Sequence, residues 1–215
     1  MNRSLTIDTL LKEAALFSAT ESAHNTPALF GVTDGKAVGT YLEQKFVAHL
    51  MKYFAGGNSA SGIDIPSIDV DIKVTSIRQP QSSCPFKSAR QKIYGLGYNL
   101  IVFVYEKTDN SRRKTARLDI QHTIFIAKQH TADYQMTRGL REIMEHDGNA
   151  EDLVAFMRDR NLPVDEIEAN NLAAQILREK PEQGYLTISN ALQWRLQYGR
   201  VMQQAGTVPG IKRIA

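Results

Sequence analysis

Gly62-Ile63-Asp64-Ile65-Pro66-Ser67-Ile68-Asp69-Val70-Asp71-Ile72-Lys73-Val74-Thr75 is the stretch on which the reading of this chain turns. Ile63 and Ile65 alternate with Asp64. Ile68, Val70, Ile72 and Val74 then alternate with Asp69, Asp71, Lys73 and Thr75, a period of two that spells half-buried strand. The phase flips across Pro66-Ser67, which implies a turn. Two antiparallel strands joined there would set Asp64 opposite Asp69 and gather the polar residues on one face. Proline cannot take the positive φ of the tightest hairpin turns, so a wider connection or a bulge is expected.

That face concentrates three carboxylates and an ammonium. Clustered carboxylates repel unless a cation joins them, and oxygen-only ligands suit magnesium. Such a cation, with a lysine placed to orient or help deprotonate a water, is the equipment that phosphodiester hydrolysis needs. A solvated face of an amphipathic strand would show the same letters. Aspartate is a poor strand former, however, and three in one hairpin carry a local cost that a function would explain.

Outward from this stretch, residues Ser4 to Phe17 read as a helix, with Ser4 as the N-cap and Leu10, Leu11, Ala14, Ala15 and Phe17 at helical spacing. A second helix is expected over Lys36 to Phe54, with Val38, Leu42, Phe46 and Leu50 on one stripe, Glu43 at its middle, and Gly56-Gly57 closing it. Downstream, Ser76 to Pro85 reads as a polar loop and Phe86 to Leu96 as a helix. The unbroken apolar run Leu100 to Val104, inside a strand from Asn99 to Tyr105, predicts burial on both faces. A basic hairpin connection, Lys107 to Lys114, leads to a strand from Leu118 to Ala127. Beyond Tyr134 helices are expected over Thr137 to Glu145, Ala150 to Arg160, Val164 to Lys180 and Ile188 to Gln204. The expectation is an α/β fold with a mixed central sheet flanked by helices, a core over 1–147 and a helical C-terminal region over 148–215 packed on it.

At this point the sequence resembles the PD-(D/E)xK nuclease superfamily and, within it, the type II restriction endonucleases, over Gly35 to Ala127. In that family a helix bearing a glutamate precedes a hairpin with an aspartate and an acid-x-lysine pair, followed by a helix and a strand. The resemblance implies that Asp64 is the first acid, Asp71 and Lys73 the second half-motif, and Glu43 the helical acid. Asp64, Asp71 and the main-chain carbonyl of Ile72 would hold Mg2+, and Lys73 would position the attacking water. Asp64 follows Ile63 rather than a proline, and only a short turn separates it from Asp71, which leaves Asp69 as a rival first acid.

The 215 residues carry a net charge of +3, with basic residues gathered at Arg78 to Lys92, Arg112 to Arg117 and Arg195 to Arg213. Three basic patches around an acidic cluster suit a phosphate backbone. Arg78, Gln79 and Gln81 leave the acidic strand directly and are side chains suited to guanine and adenine edges, while Lys87, Arg90 and Lys92 are placed to meet DNA phosphates. The single cysteine, Cys84, cannot form an internal bridge, and no stretch is long enough to span a membrane, so a cytoplasmic setting is expected. No spacing of the five histidines resembles a zinc site. The expected activity is Mg2+-dependent cutting of specific double-stranded DNA by a homodimer, since a two-fold dimer matches a two-fold site. A nuclease specific for damaged or branched DNA, and a DNA-binding protein with an inert acidic cluster, are the rivals.

Overall fold

A computed structural model describes residues 4–54, 62–85, 87–189 and 194–215 of the chain. Its strands and helices follow in the order α1 (Ile7–Ser22), β1 (Asn25–Thr26), α2 (Gly35–Met51), β2 (Val70–Ser76), β3 (Gln81–Cys84), α3 (Gln91–Tyr94), β4 (Asn99–Asn110), β5 (Thr115–Ile126), α4 (Tyr134–Glu145), α5 (Ala150–Asp159), α6 (Glu166–Arg178), β6 (Thr187–Ile188), β7 (Trp194–Gln197), α7 (Gly199–Gln204) and β8 (Ile211–Arg213). Two compact units divide it. The first takes the described residues of Met1–Ser82 with Asn99–Ile126 and Met202–Ala215; the second takes Ser83–Tyr98 and Ala127–Val201.

The first unit is built on a mixed five-stranded sheet of order β1-β5-β4-β2, with β8 also on β5. Parallel β2 and β4 run in register from Val70↔Asn99 to Ser76↔Tyr105, and β4 and β5 form a long antiparallel ribbon. Leu100 to Val104 are all fully buried, which is the two-faced burial expected of that apolar run. One face carries α1 and α2. There Phe17, Phe46 and Phe103 meet at ring-centroid distances of 4.9 to 5.7 Å, each buried aromatic contributing roughly 1.5–3 kcal/mol.

Helix α1 starts at Thr6, not Ser4, because Thr6 and Thr9 cap each other reciprocally. It also runs past Phe17 to Ser22. Ser18 and Thr20 turn their hydroxyls onto the carbonyls of Ala14 and Leu16, so these polar residues stay helical. Helix α2 buries Val38, Leu42, Phe46 and Leu50 as its stripe predicts, with Asp34 as its cap. The expected closing pair Gly56-Gly57 lies outside the described residues.

The second unit centres on an apolar cluster from α3 to α6, including Ile93, Leu140, Leu153, Met157, Leu172 and Ile176. The close approach of α4 and α5 needs Gly139, where a Cβ would stand 2.1 Å from the Phe156 ring. A small sheet of order β3-β7-β6 accompanies it.

Two expectations for this region are corrected. The helix expected over Phe86 to Leu96 is one turn, Gln91–Tyr94, stopped by Gly95 at φ +87°; Phe86 itself is outside the described residues. The helix expected over Ile188 to Gln204 is instead β6, β7 and the short α7. Trp194-Arg195-Leu196-Gln197 alternates buried and exposed, and that period of two outweighs helical propensity. Residues 190–193 are not described. Among the described residues no helix is long and apolar enough to cross a membrane.

Candidate active site

The Pro66-Ser67 turn is wide, as proline demanded: Pro66–Ile68 forms a 3-10 turn and Asp69 adopts φ +51°. This corrects the register. Ile65, not Asp64, faces its partner across the turn, in an isolated antiparallel bridge with Val70. Asp64 does not stand opposite Asp69.

The register has a chemical consequence. In a strand, one residue's N–H and C=O point to the same side. The carbonyl of Asp69 serves β4 through the Asn99 N–H, while Val70 exchanges both its bonds with Ile65 on the outer edge. Even-numbered residues of β2 therefore turn their main-chain groups outward. The outward N–H of Ile72 donates to Asp64 Oδ2 at 2.7 Å, and the Ile72 carbonyl faces the same edge. Asp64 is thereby fastened beside Asp71.

Asp71 is 5% exposed, and its Oδ2 lies 2.6 Å from Lys73 Nζ on the same strand face. Burial, and then the adjoining Asp64 carboxyl, push the Asp71 carboxyl up to about 6 against the opposing pull of Lys73. Two carboxylates and an ammonium thus meet at the outer edge of β2. Asp69 is exposed, with its main chain committed to Asn99, so it does not share this cluster.

Glu43 is not brought to it. Gly39 of α2 meets Val74 across 3.9 Å to its Cβ, so α2 lies on the even-numbered face of β2, whereas Asp71 and Lys73 project from the other. Among the described residues no three Asp, Glu, His or Cys side chains converge as a ready-made metal cage. The oxygens that could face a cation here are those of two carboxylates and the edge carbonyl of Ile72.

Arg78 and Gln79 are exposed on the turn that leaves β2, and Gln81 is half-buried at the start of β3. Sequence periodicity missed β3 because Gln-Ser-Ser-Cys has no apolar alternation. Thr75, which the alternation sets on the polar face without assigning it a role, holds this segment: its Oγ1 accepts the Gln81 N–H at 2.9 Å and lies 3.0 Å from the carbonyls of Gln79 and Gln81. Only the strand phase, which places Thr75 on the same face as Asp71 and Lys73, could have flagged it.

The three basic residues further on differ. Lys87 is exposed, and Arg90 lies over the Tyr94 ring and donates to Gln175. Lys92 corrects the expectation of a phosphate contact. It is 3% exposed, its Nζ lies 5.6 Å over the Trp194 ring, and burial pulls its pKa down against the nearby Asp133. A lysine so enclosed cannot meet a phosphate. Arg200 is likewise stacked 3.6 Å over Tyr134, while His130 bonds the Gln183 carbonyl and His122 faces Arg213.

A mixed sheet flanked by helices, with acids and a lysine at its edge strand, gives the chain an α/β restriction-endonuclease-like fold. A family model described as Type II restriction enzyme NspV matches residues 4–213. The type II restriction enzyme NspV of Nostoc sp. (strain ATCC 29411 / PCC 7524) is 66% identical over 209 residues, which cover 96% of this chain and 95% of that protein. No solved structure matches. The chain belongs to the NspV family of type II restriction enzymes, the class of site-specific DNA endonucleases.

Proposed function

We propose that the chain cleaves specific double-stranded DNA as a Mg2+-dependent PD-(D/E)xK nuclease, with Asp64, Asp71 and Lys73 as its catalytic set. The observation that carries this reading is the bond from the Ile72 N–H to Asp64, which sets a second carboxylate and a main-chain carbonyl beside the Asp71–Lys73 pair. The raised Asp71 carboxyl fits a hard cation, since two adjoining acids ionise together only when a positive charge joins them. Asp64, Asp71 and the Ile72 carbonyl would hold Mg2+. When bound, the ion offsets charge on the five-coordinate phosphorus and makes water more acidic.

The chain's own groups do the rest. Lys73, anchored to Asp71, orients the attacking water and takes part in moving its proton. Arg78, Gln79 and Gln81 read base edges in the major groove from the segment that Thr75 holds, and Lys87 meets a backbone phosphate. Two copies act on the two strands of a symmetric site, so the protein in solution should have twice the 24.1 kDa chain mass.

The test is digestion of a long unmodified duplex with Mg2+, beside an EDTA control and Asp71→Ala. Discrete fragments that need Mg2+ and vanish in the variant are expected. Fragments that persist in Asp71→Ala would remove this strand from the chemistry.

A further inference from the structure

The β4–β5 ribbon outruns the sheet core. Ser76, the last residue of β2, is level with Tyr105, and the Ile77 N–H bonds the Tyr105 carbonyl, so the Arg78 segment departs at that height. Beyond it β4 continues in the same direction to Asn110 before β5 returns from Thr115. At a strand's rise of ~3.3 Å per residue, the tip stands about 30 Å past the level of Asp71, which is paired with Leu100.

This arm is braced. Asn25 and Thr26 pair with Arg117 and Ala116 along its edge, and the Gly31 N–H donates to Asp109 at 3.1 Å. Lys114 lies 5.1 Å over the Phe30 ring, and the Arg113 N–H bonds Asn110 Oδ1 at 3.0 Å to shape the turn. A free two-stranded ribbon is marginal in water, so this bracing fixes the direction in which the tip points.

Glu106 stands back along the arm, level with Asp119, and the two other acids of the arm face its own cations. Asp109 is taken by Lys107, and Asp119 stands 3.8 Å from Arg117. Arg112, Arg113 and Lys114 are exposed at the tip and, among the described residues, have no acidic partner. Three uncompensated cations on a rigid mount match a polyanion with regularly spaced charges.

We infer that Arg112, Arg113 and Lys114 at the β4–β5 tip bind phosphates of the DNA duplex outside the recognised sequence. The inference rests on the nuclease reading, which puts the scissile phosphate at Asp71. A reach of about 30 Å corresponds to roughly nine base pairs at 3.4 Å each, beyond the bases that the Arg78 segment can touch. Such contacts add affinity without sequence information, and each neutralised phosphate steepens the salt dependence by about 0.9 in the log-log slope.

The experiment compares wild type with the triple variant Arg112→Gln, Arg113→Gln, Lys114→Gln on two duplexes carrying the mapped cut site, one with ~20 base-pair flanks and one trimmed to ~3. On the long duplex the variant should bind about tenfold more weakly at ~0.1 M salt, with a slope shallower by roughly two to three. On the trimmed duplex the two proteins should be equal. The single variant Arg112→Gln, which leaves the Asn110 and Phe30 contacts in place, should lose about one unit of slope on the long duplex. An unchanged slope, or an equal loss on both duplexes, overturns the inference while wild-type cutting still upholds the nuclease reading. A wild type that cuts no duplex, and so yields no site to map, overturns both.

Discussion

The N–H of Ile72 donates to Asp64 Oδ2 at 2.7 Å, and this bond joins two stretches that share no ladder beyond the Ile65–Val70 bridge. Asp64→Asn keeps an oxygen for that N–H and removes the charge; Asp64→Ala removes both. Both variants should therefore cut DNA at least about 10²-fold more slowly. Only the alanine should also lose stability, by about 1 kcal/mol, read in urea melts. Asp69→Asn, which tolerates the positive φ, should cut like wild type. A slow Asp69→Asn beside a normal Asp64→Asn would reverse the assignment.

Lys73 meets Asp71 through a partly exposed ion pair whose worth to the fold is small, about 1 kcal/mol or less. Its worth to catalysis should be far larger. Lys73→Ala is expected to slow single-turnover cleavage by roughly 10²- to 10⁴-fold while duplex affinity, measured without metal, stays within about threefold. Normal turnover in this variant would remove lysine from the reaction.

How far the sequence led depended on what carried each signal. The run Leu100 to Val104 and the Val38-Leu42-Phe46-Leu50 stripe are dictated by burial, which leaves a periodic mark in the letters, and both stand where they were expected. Asp71 and Lys73 were legible for the same reason, since alternation alone puts them on one face. The register of Asp64 was not. It depends on the φ of Asp69 and on where a 3-10 turn ends, geometry that no periodicity encodes. Glu43 failed at longer range: helical spacing could set it on α2 but not say which side of β2 the helix would cover. Lys92 failed because charge suggested exposure, while Trp194, a hundred residues away in sequence, encloses it. Trp194 to Gln197 carries its strand signal in the letters, a buried-exposed alternation that a helical reading of Ile188 to Gln204 overrides.

Asp71 supplies a pH-dependent prediction for the metal-free protein. Its carboxyl rises from the usual 3.8 to about 6 on folding, so the folded state holds the proton more tightly than the unfolded chain. The associated stability is fully present below about 3.8 and is lost as pH rises through about 6. The loss is at most about 3 kcal/mol at 1.36 per unit, and less where water relieves the pair. Asp71→Asn should thus melt higher than wild type at pH 8 and not at pH 4. Added Mg2+ should raise the wild-type Tm at pH 8 and leave the variant unmoved. A variant that melts lower than wild type at pH 8 would refute the raised carboxyl.

Thr75 connects β2, proposed to carry the chemistry, to the segment proposed to read bases. Its hydroxyl accepts the Gln81 N–H and has one proton to share between two carbonyls, so Thr75→Val, nearly the same shape, removes the tether without opening a cavity. The half-buried Gln81 N–H left unpaired should cost about 1 kcal/mol, and Thr75→Ser should restore most of it. Specificity gives the sharper readout, because a structural role alone would slow cutting at every site equally. If Thr75 sets the position of Arg78, Gln79 and Gln81, cleavage by Thr75→Val should fall at the mapped site more than at sites differing by one base pair, with the ratio dropping about tenfold at a pair they read. Thr75→Ser should recover the ratio. An unchanged ratio with lowered stability would confine Thr75 to the fold and free Arg78 and its neighbours from dependence on it.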